Sequence, residues 1–297
     1  MKNDETPLDM NKRRLGRRSF VMGAGFTGAG LMGATVASRL GLLDRISGAK
    51  SLGFGSSPVE AATYNDVDIL NFALNLEYLE AEFYTVATTG KTLEQSGFDL
   101  GGTGKSGPTT GGNIIHNWSV DGSSKEASGK LQEIAEEIAK DEQAHVKLLR
   151  SALGSDAVAK PAINLDALMV GFGSFRQFIA VARALEDTGT SAYGGAAPLI
   201  ASKSYLGVAV QIGLLEALHS ANLRLLVAEN YIDTSALDSH DILPPPSGSK
   251  YFEASSLGLT VVRTPSEVLA IVYGKDTSGT DKGGFFPDGV NGFFTAV

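Results

Sequence analysis

The segments Glu142-Gln143-Ala144-His145 and Glu216-Ala217-Leu218-His219 repeat one pattern, a carboxylate three residues ahead of an imidazole. On a helix, residues three apart leave the same face about one turn apart, so both side chains can converge on one cation. A carboxylate has two oxygens and can bridge two cations, whereas a neutral imidazole gives one terminal bond. Each pattern lies in a long apolar helical stretch, and two further stretches each carry an inward-facing glutamate, Glu77 and Glu186. Four carboxylates and two imidazoles on four helices are the donor set of a dinuclear metal centre inside a bundle. Burying that many carboxylates is severely unfavourable unless cations or protons accompany them.

The chain is built as a repeat around these residues. Leu76-Glu77 is followed seven residues later by Tyr84, and Leu185-Glu186 seven residues later by Tyr193, two turns on and on the same helix face. Each half thus supplies one glutamate helix and one Glu-x-x-His helix, related by an approximate internal twofold. The two tyrosines read either as core aromatics or as proton relays. Glu80, one turn from Glu77, could replace it as ligand or stand just behind it. Glu82 is expected to be a surface charge, Asp141 and Asp187 to project to other faces, and His116 and His240 to lie in irregular segments without a metal role. With no cysteine in the 297 residues, disulfides, thiolate metal sites and thiol nucleophiles are excluded together. Oxygen and imidazole donors favour iron, manganese or zinc.

Four helical stretches must position these side chains. They span about 65–87, with Asn65 or Asp66 as cap, then about 125–153 with Gly154 as stop, about 174–197, and about 203–231. Gly189, Gly194 and Gly195 weaken the helical signal in the second half of the third. Only a turn around Pro198 separates the third and fourth, which makes them antiparallel neighbours. Residues 155–173 join the second and third; about 20 extended residues reach roughly 60 Å, the length of a bundle. The expected fold is therefore all-α, a four-helix bundle over residues 62–235 with a long crossover between its second and third helices. A Gly-rich insert, about 88–124, follows the first helix and should lie over the surface or one end. An irregular extension, 236–297, contains one short helix announced by Thr264-Pro265-Ser266-Glu267, a capping box with proline at the first helical position. Its aromatic end, Phe285, Phe286, Phe293 and Phe294, is expected to pack on the bundle or on a second subunit.

Residues 1–61 read as a targeting segment. Arg17-Arg18-Ser19-Phe20 precedes a mild Gly/Ala-rich apolar stretch, and Val59-Glu60-Ala61 offers a small-residue cleavage pattern. This resembles a twin-arginine export signal, cleaved or retained as a membrane tether, and implies a periplasmic or cell-envelope location. Without these residues the chain has 16 basic against 28 acidic residues, a net charge of −12. So acidic a body would repel nucleic-acid phosphate and attract divalent cations.

Taken together, the residues resemble the ferritin-like superfamily and, in their metal motifs, bacterioferritin-type di-iron sites. LNFALNLEYLEAEFY and ALEDTGTSAYGGAA are similar to the first and third helices of the ferritin-like family that includes the desiccation-related proteins. The resemblance covers about 66–231. It implies Glu77 and Glu186 as terminal carboxylates, Glu142 and Glu216 as bridging ones, and His145 and His219 as terminal imidazoles, holding two iron or manganese ions. The insert and the extension depart from a minimal ferritin subunit and argue against assembly of a storage shell, though a smaller homo-oligomer is compatible.

Two functions follow as expectations. One is a di-iron or di-manganese oxidoreductase of ferroxidase, peroxidase or catalase type, acting on oxygen or peroxide in stress defence. The other is a non-enzymatic desiccation-related envelope protein that uses the bundle to sequester metal or for stability. A third, an oxygenase with an organic substrate, lacks any pocket signature.

Overall fold

A computed structural model describes residues 64–119, 125–169 and 172–297. The twin-arginine, apolar and cleavage segments lie outside them. Helix α1, Asp66–Thr89, starts at Asn65, whose side chain accepts from the Val67 and Asp68 amides while Asp68 accepts from the Asn65 amide. This reciprocal box satisfies amides that the first turn leaves unpaired. Gly90 closes the helix at φ +73°. α1 is buried from Ile69 to Ala87 except at Ala73, so it forms the central rod of the molecule.

Helix α2, Lys125–Leu153, packs along α1, and α3, Phe175–Ala196, packs along α4, Lys203–Glu229. Ser174 and Ser202 cap α3 and α4, each accepting an amide three residues on. A single 3-10 turn, Ala197–Leu199, joins α3 to α4. Helix α3 continues unbroken through all three of its glycines.

The insert after α1 and the crossover before α3 are joined into one structure. Strand β1, Thr109–Thr110, pairs in parallel with β2, Ile163–Asn164, and a bridge joins Thr103 to Val158. Leu93, Leu100, Ile115 and Trp118 of the insert and Val158, Ile163 and Leu165 of the crossover are buried. Asn71 of α1 fastens the crossover, accepting from the Val158 amide and donating to the Asp156 carbonyl. These partners answer the backbone groups that an extended connection would otherwise bury unpaired.

The C-terminal extension carries α5, Pro265–Tyr273, with the reciprocal Thr264/Glu267 box at its start and Gly274 at φ +64° as its stop. Phe285 and Phe286 are buried, and Phe294 meets Phe72 of α1 edge-on at 5.7 Å between ring centres. Asn75 of α1 exchanges two hydrogen bonds with the Asn291 backbone.

Candidate metal centre

Glu77, Glu142, Glu186 and Glu216 are fully buried, and His145 and His219 nearly so. Their donor atoms form two groups. Glu77, Glu142, His145 and Glu216 offer atoms within 4.8 Å of one another, and so do Glu142, Glu186, Glu216 and His219. The two groups share Glu142 and Glu216. His145 Nδ1 lies 3.2 Å from Glu77 Oε2, 3.1 Å from Glu142 Oε2 and 3.3 Å from Glu216 Oε1. His219 Nδ1 lies 3.2 Å from both Glu142 Oε1 and Glu186 Oε2. Glu142 therefore turns one oxygen to each histidine.

Other side chains complete the surroundings. Tyr193 of α3 donates its hydroxyl hydrogen to Glu77 Oε1 on α1, while Tyr84 of α1 faces Glu186 on α3. Each tyrosine thus attends the glutamate of the opposite half. The Tyr84 ring is held edge-on to Phe178, which stacks on Phe83 and meets Trp118 of the insert. Glu80 is buried beside the shared carboxylates, and Gly189 makes room for it. A Cβ on Gly189 would stand 2.6 Å from Glu216 Oε2 and 3.0 Å from Glu80 Oε1. The weak helical residue is what lets two carboxylates approach α3.

Asp141 approaches His219 from the other side, with its Oδ2 3.3 Å from Nε2, so it faces a ligand-type side chain rather than pointing elsewhere. Asp187 stays out of both groups. It accepts from Ser220 Oγ at 2.5 Å and Arg224 Nη1 at 2.7 Å, and forms an ion pair with Arg183, whose Nε lies 2.9 Å away. That network locks α3 to α4 one residue away from Glu186 and from His219. It continues through Asp241 and Glu253 of the C-terminal extension.

Glu82 corrects the expectation of a surface charge. It is fully buried, accepts from the Leu93 amide, and sits 3.6 Å from the buried Lys160 of the crossover. Burial lifts its carboxyl to about 7 against the pull of Lys160. Lys160 also donates to the Gly107 carbonyl and to Thr109, tying crossover to insert. The charged types at 82 and 160 suggest solvent; only the loops folding over α1 bury them. His116 is exposed and lines a cavity of about 370 Å³ with Phe172 and Arg176. His240 lies 3.6 Å from Glu267 on the surface. Neither belongs to a donor group among the described residues.

The electrostatics show a core short of positive charge. Burial first, then the charges of Glu216, Glu186, Glu142 and Glu77, push Glu80 well above the usual carboxylate range. Burial and neighbouring Glu142 and Glu186 do the same to Glu216. Burial raises Glu142 to about 7 although both histidine rings lie against it. Burial alone would raise Glu77 as well, yet the charge and hydrogen bonding of His145 hold it below its ordinary value. Burial opposes protonation of His219, but bonds to Glu142 and Glu186 raise it to about 11. Oxygens of Glu142, Glu186 and Glu216 are buried without a hydrogen-bond donor among the described residues. Unmatched carboxylate lone pairs beside imidazole nitrogens suit divalent cations, which would displace the bound protons.

The ferritin-like domain family matches residues 65–229. The chain belongs to that family. The match runs from the cap of α1 to the last residue of α4 and so contains all six candidate donor residues. No match appears among the curated proteins.

Proposed function

We propose that this ferritin-like protein is exported by the twin-arginine route and holds two iron or manganese ions. Glu77 with His145 and Glu186 with His219 would be the terminal pairs, and Glu142 with Glu216 the bridges. The observation that carries the reading is the pair of four-residue donor groups sharing Glu142 and Glu216. Bound there, such ions would supply two-electron redox chemistry toward peroxide or dioxygen. The protein's own part is to hold both bridges in place, exclude bulk water and manage protons. Tyr193 points its hydroxyl hydrogen at Glu77 Oε1, and burial with the neighbouring carboxylates favours a proton on Glu80. None of the six donor residues is more than 6% exposed, and none lines the cavity beside His116. Such enclosure suits ions and small oxidants rather than an organic substrate.

The same enclosure favours a second reading, metal sequestration by a desiccation-related envelope protein without turnover. Metal analysis separates the two. Protein matured with iron or manganese is expected to carry two ions per chain and to consume hydrogen peroxide, or Fe(II) with oxygen. Glu142→Ala and Glu216→Ala are expected to lose both properties. Two ions without turnover of either oxidant leave sequestration, and protein that takes up no metal overturns both readings. Replacing Arg17 and Arg18 by lysine should abolish export of the full chain, as cell fractionation would show.

A further inference from the structure

The outer face of α4 carries an apolar seam that nothing among the described residues covers. Leu214 and Leu218 are 63% and 66% exposed, and Val210 and Leu225 are exposed beside them. The outward positions Gly207, Gln211, Leu214, Leu218, Ala221 and Leu225 alternate in steps of four and three, the heptad spacing of a helix that packs lengthwise on another. The only Asp, Glu, Lys or Arg within 204–228 are Glu216 and Arg224, and both are buried against the bundle. The exposed charges stand at the two ends, Lys203 and Glu229.

We propose that this face pairs with α4 of a second copy, antiparallel and centred at the level of Glu216. In that register Leu214 meets Leu218 of the second copy, Gln211 meets Ala221, Gly207 meets Leu225, and Lys203 meets Glu229. Each large or long residue faces a small one or its leucine counterpart, and each terminal charge faces its opposite. A Cβ at Gly207 would have no atom within 4 Å, so the space a leucine of the second copy needs is open. A parallel pair would instead set Lys203 on Lys203, Leu225 on Leu225, and Gly207 on Gly207. It would combine repulsion, crowding and a gap in one interface. The seam closes on itself because a twofold contact uses the same patch twice.

Sedimentation velocity of the full chain is expected to show a dimer. Leu214→Asp with Leu218→Asp should convert it to a monomer of unchanged helix content, since both side chains face outward. Lys203→Glu should weaken the dimer, and adding Glu229→Lys should restore it. The chain has no cysteine, so engineered pairs report the register directly. Gly207→Cys with Leu225→Cys should give a disulfide-linked dimer on oxidation. Gly207→Cys alone should not, because the 18-residue offset separates the two thiols by about 27 Å along the helices. A wild-type monomer at tens of micromolar would overturn the proposal, as would a dimer indifferent to the Leu214/Leu218 change. Cross-linking by Gly207→Cys alone would overturn the antiparallel register. Monomers that float with phosphatidylcholine vesicles through this face would assign it to lipid instead; α4 is long and apolar enough to cross a membrane by length and composition.

Discussion

Tyr193 donates its hydroxyl hydrogen to Glu77 across 116 residues of chain, from α3 to α1. The bond joins the two halves of the internal repeat at Glu77, with Tyr84 facing Glu186 in the mirrored position. Side chains that orient a metal ligand from behind commonly affect affinity about 10–100-fold when removed. Tyr193→Phe is therefore expected to weaken metal binding by about that factor while leaving two ions per chain at saturation. Competition with a chromophoric chelator measures it; unchanged affinity would show that the bond does not serve the ligand.

Gly189→Ala tests the close approach of α3 to the shared carboxylate. Alanine favours an isolated helix by about 1 kcal/mol over glycine. Here its Cβ would stand 2.6 Å from Glu216 Oε2. The expected outcome is a helical protein, by circular dichroism, that holds fewer than two ions by elemental analysis.

Metal binding should strengthen as pH rises through about 7, where Glu142 loses its proton in the metal-free protein. Titration calorimetry in buffers of different ionisation enthalpy should detect proton release on binding. Binding that releases no protons would count against carboxyl and imidazole ligation.

Stability of the metal-free protein should move the opposite way. Burial, aided by the neighbouring Asp187 charge, raises Glu253 from 4.5 to about 8, and burial raises Glu82 to about 7. Between those limits the folded state binds more protons than the unfolded one, so its stability falls with rising pH. This contribution is complete below about 4.5 and lost as pH passes 7 to 8. Urea midpoints in the presence of a chelator should follow that trend, and Glu253→Gln should flatten it.

Lys160→Met removes the cation beside buried Glu82 and the donor to Gly107 and Thr109. Leaving one buried charge unpaired costs about 3–5 kcal/mol. Adding Glu82→Gln should recover part of the loss. Full additivity of the two changes in denaturant midpoints would deny the pairing.

Much of the helical frame was legible because its signals are local. Asn65 and Thr264 cap helices through their own neighbours in the chain, and the Glu-x-x-His spacing presents two donors on one face without help from tertiary structure. Legibility ended where meaning depends on what folds over a residue. Glu82 looks like a surface charge until the insert and crossover close on it. Asp141 looks unrelated to the centre until α2 and α4 bring it within 3.3 Å of His219.

The sequence by itself determined the Glu-x-x-His and Leu-Glu repeat and the helices that carry it, because helical periodicity converts spacing into direction. The sharing of Glu142 and Glu216 between the donor groups was already implied by the family resemblance, whereas tertiary structure alone decided that each tyrosine faces the opposite half. It also decided that Gly189 is a place for carboxylates rather than a flaw in a helix. Those relations depend on distances between helices, which no periodicity within one helix contains.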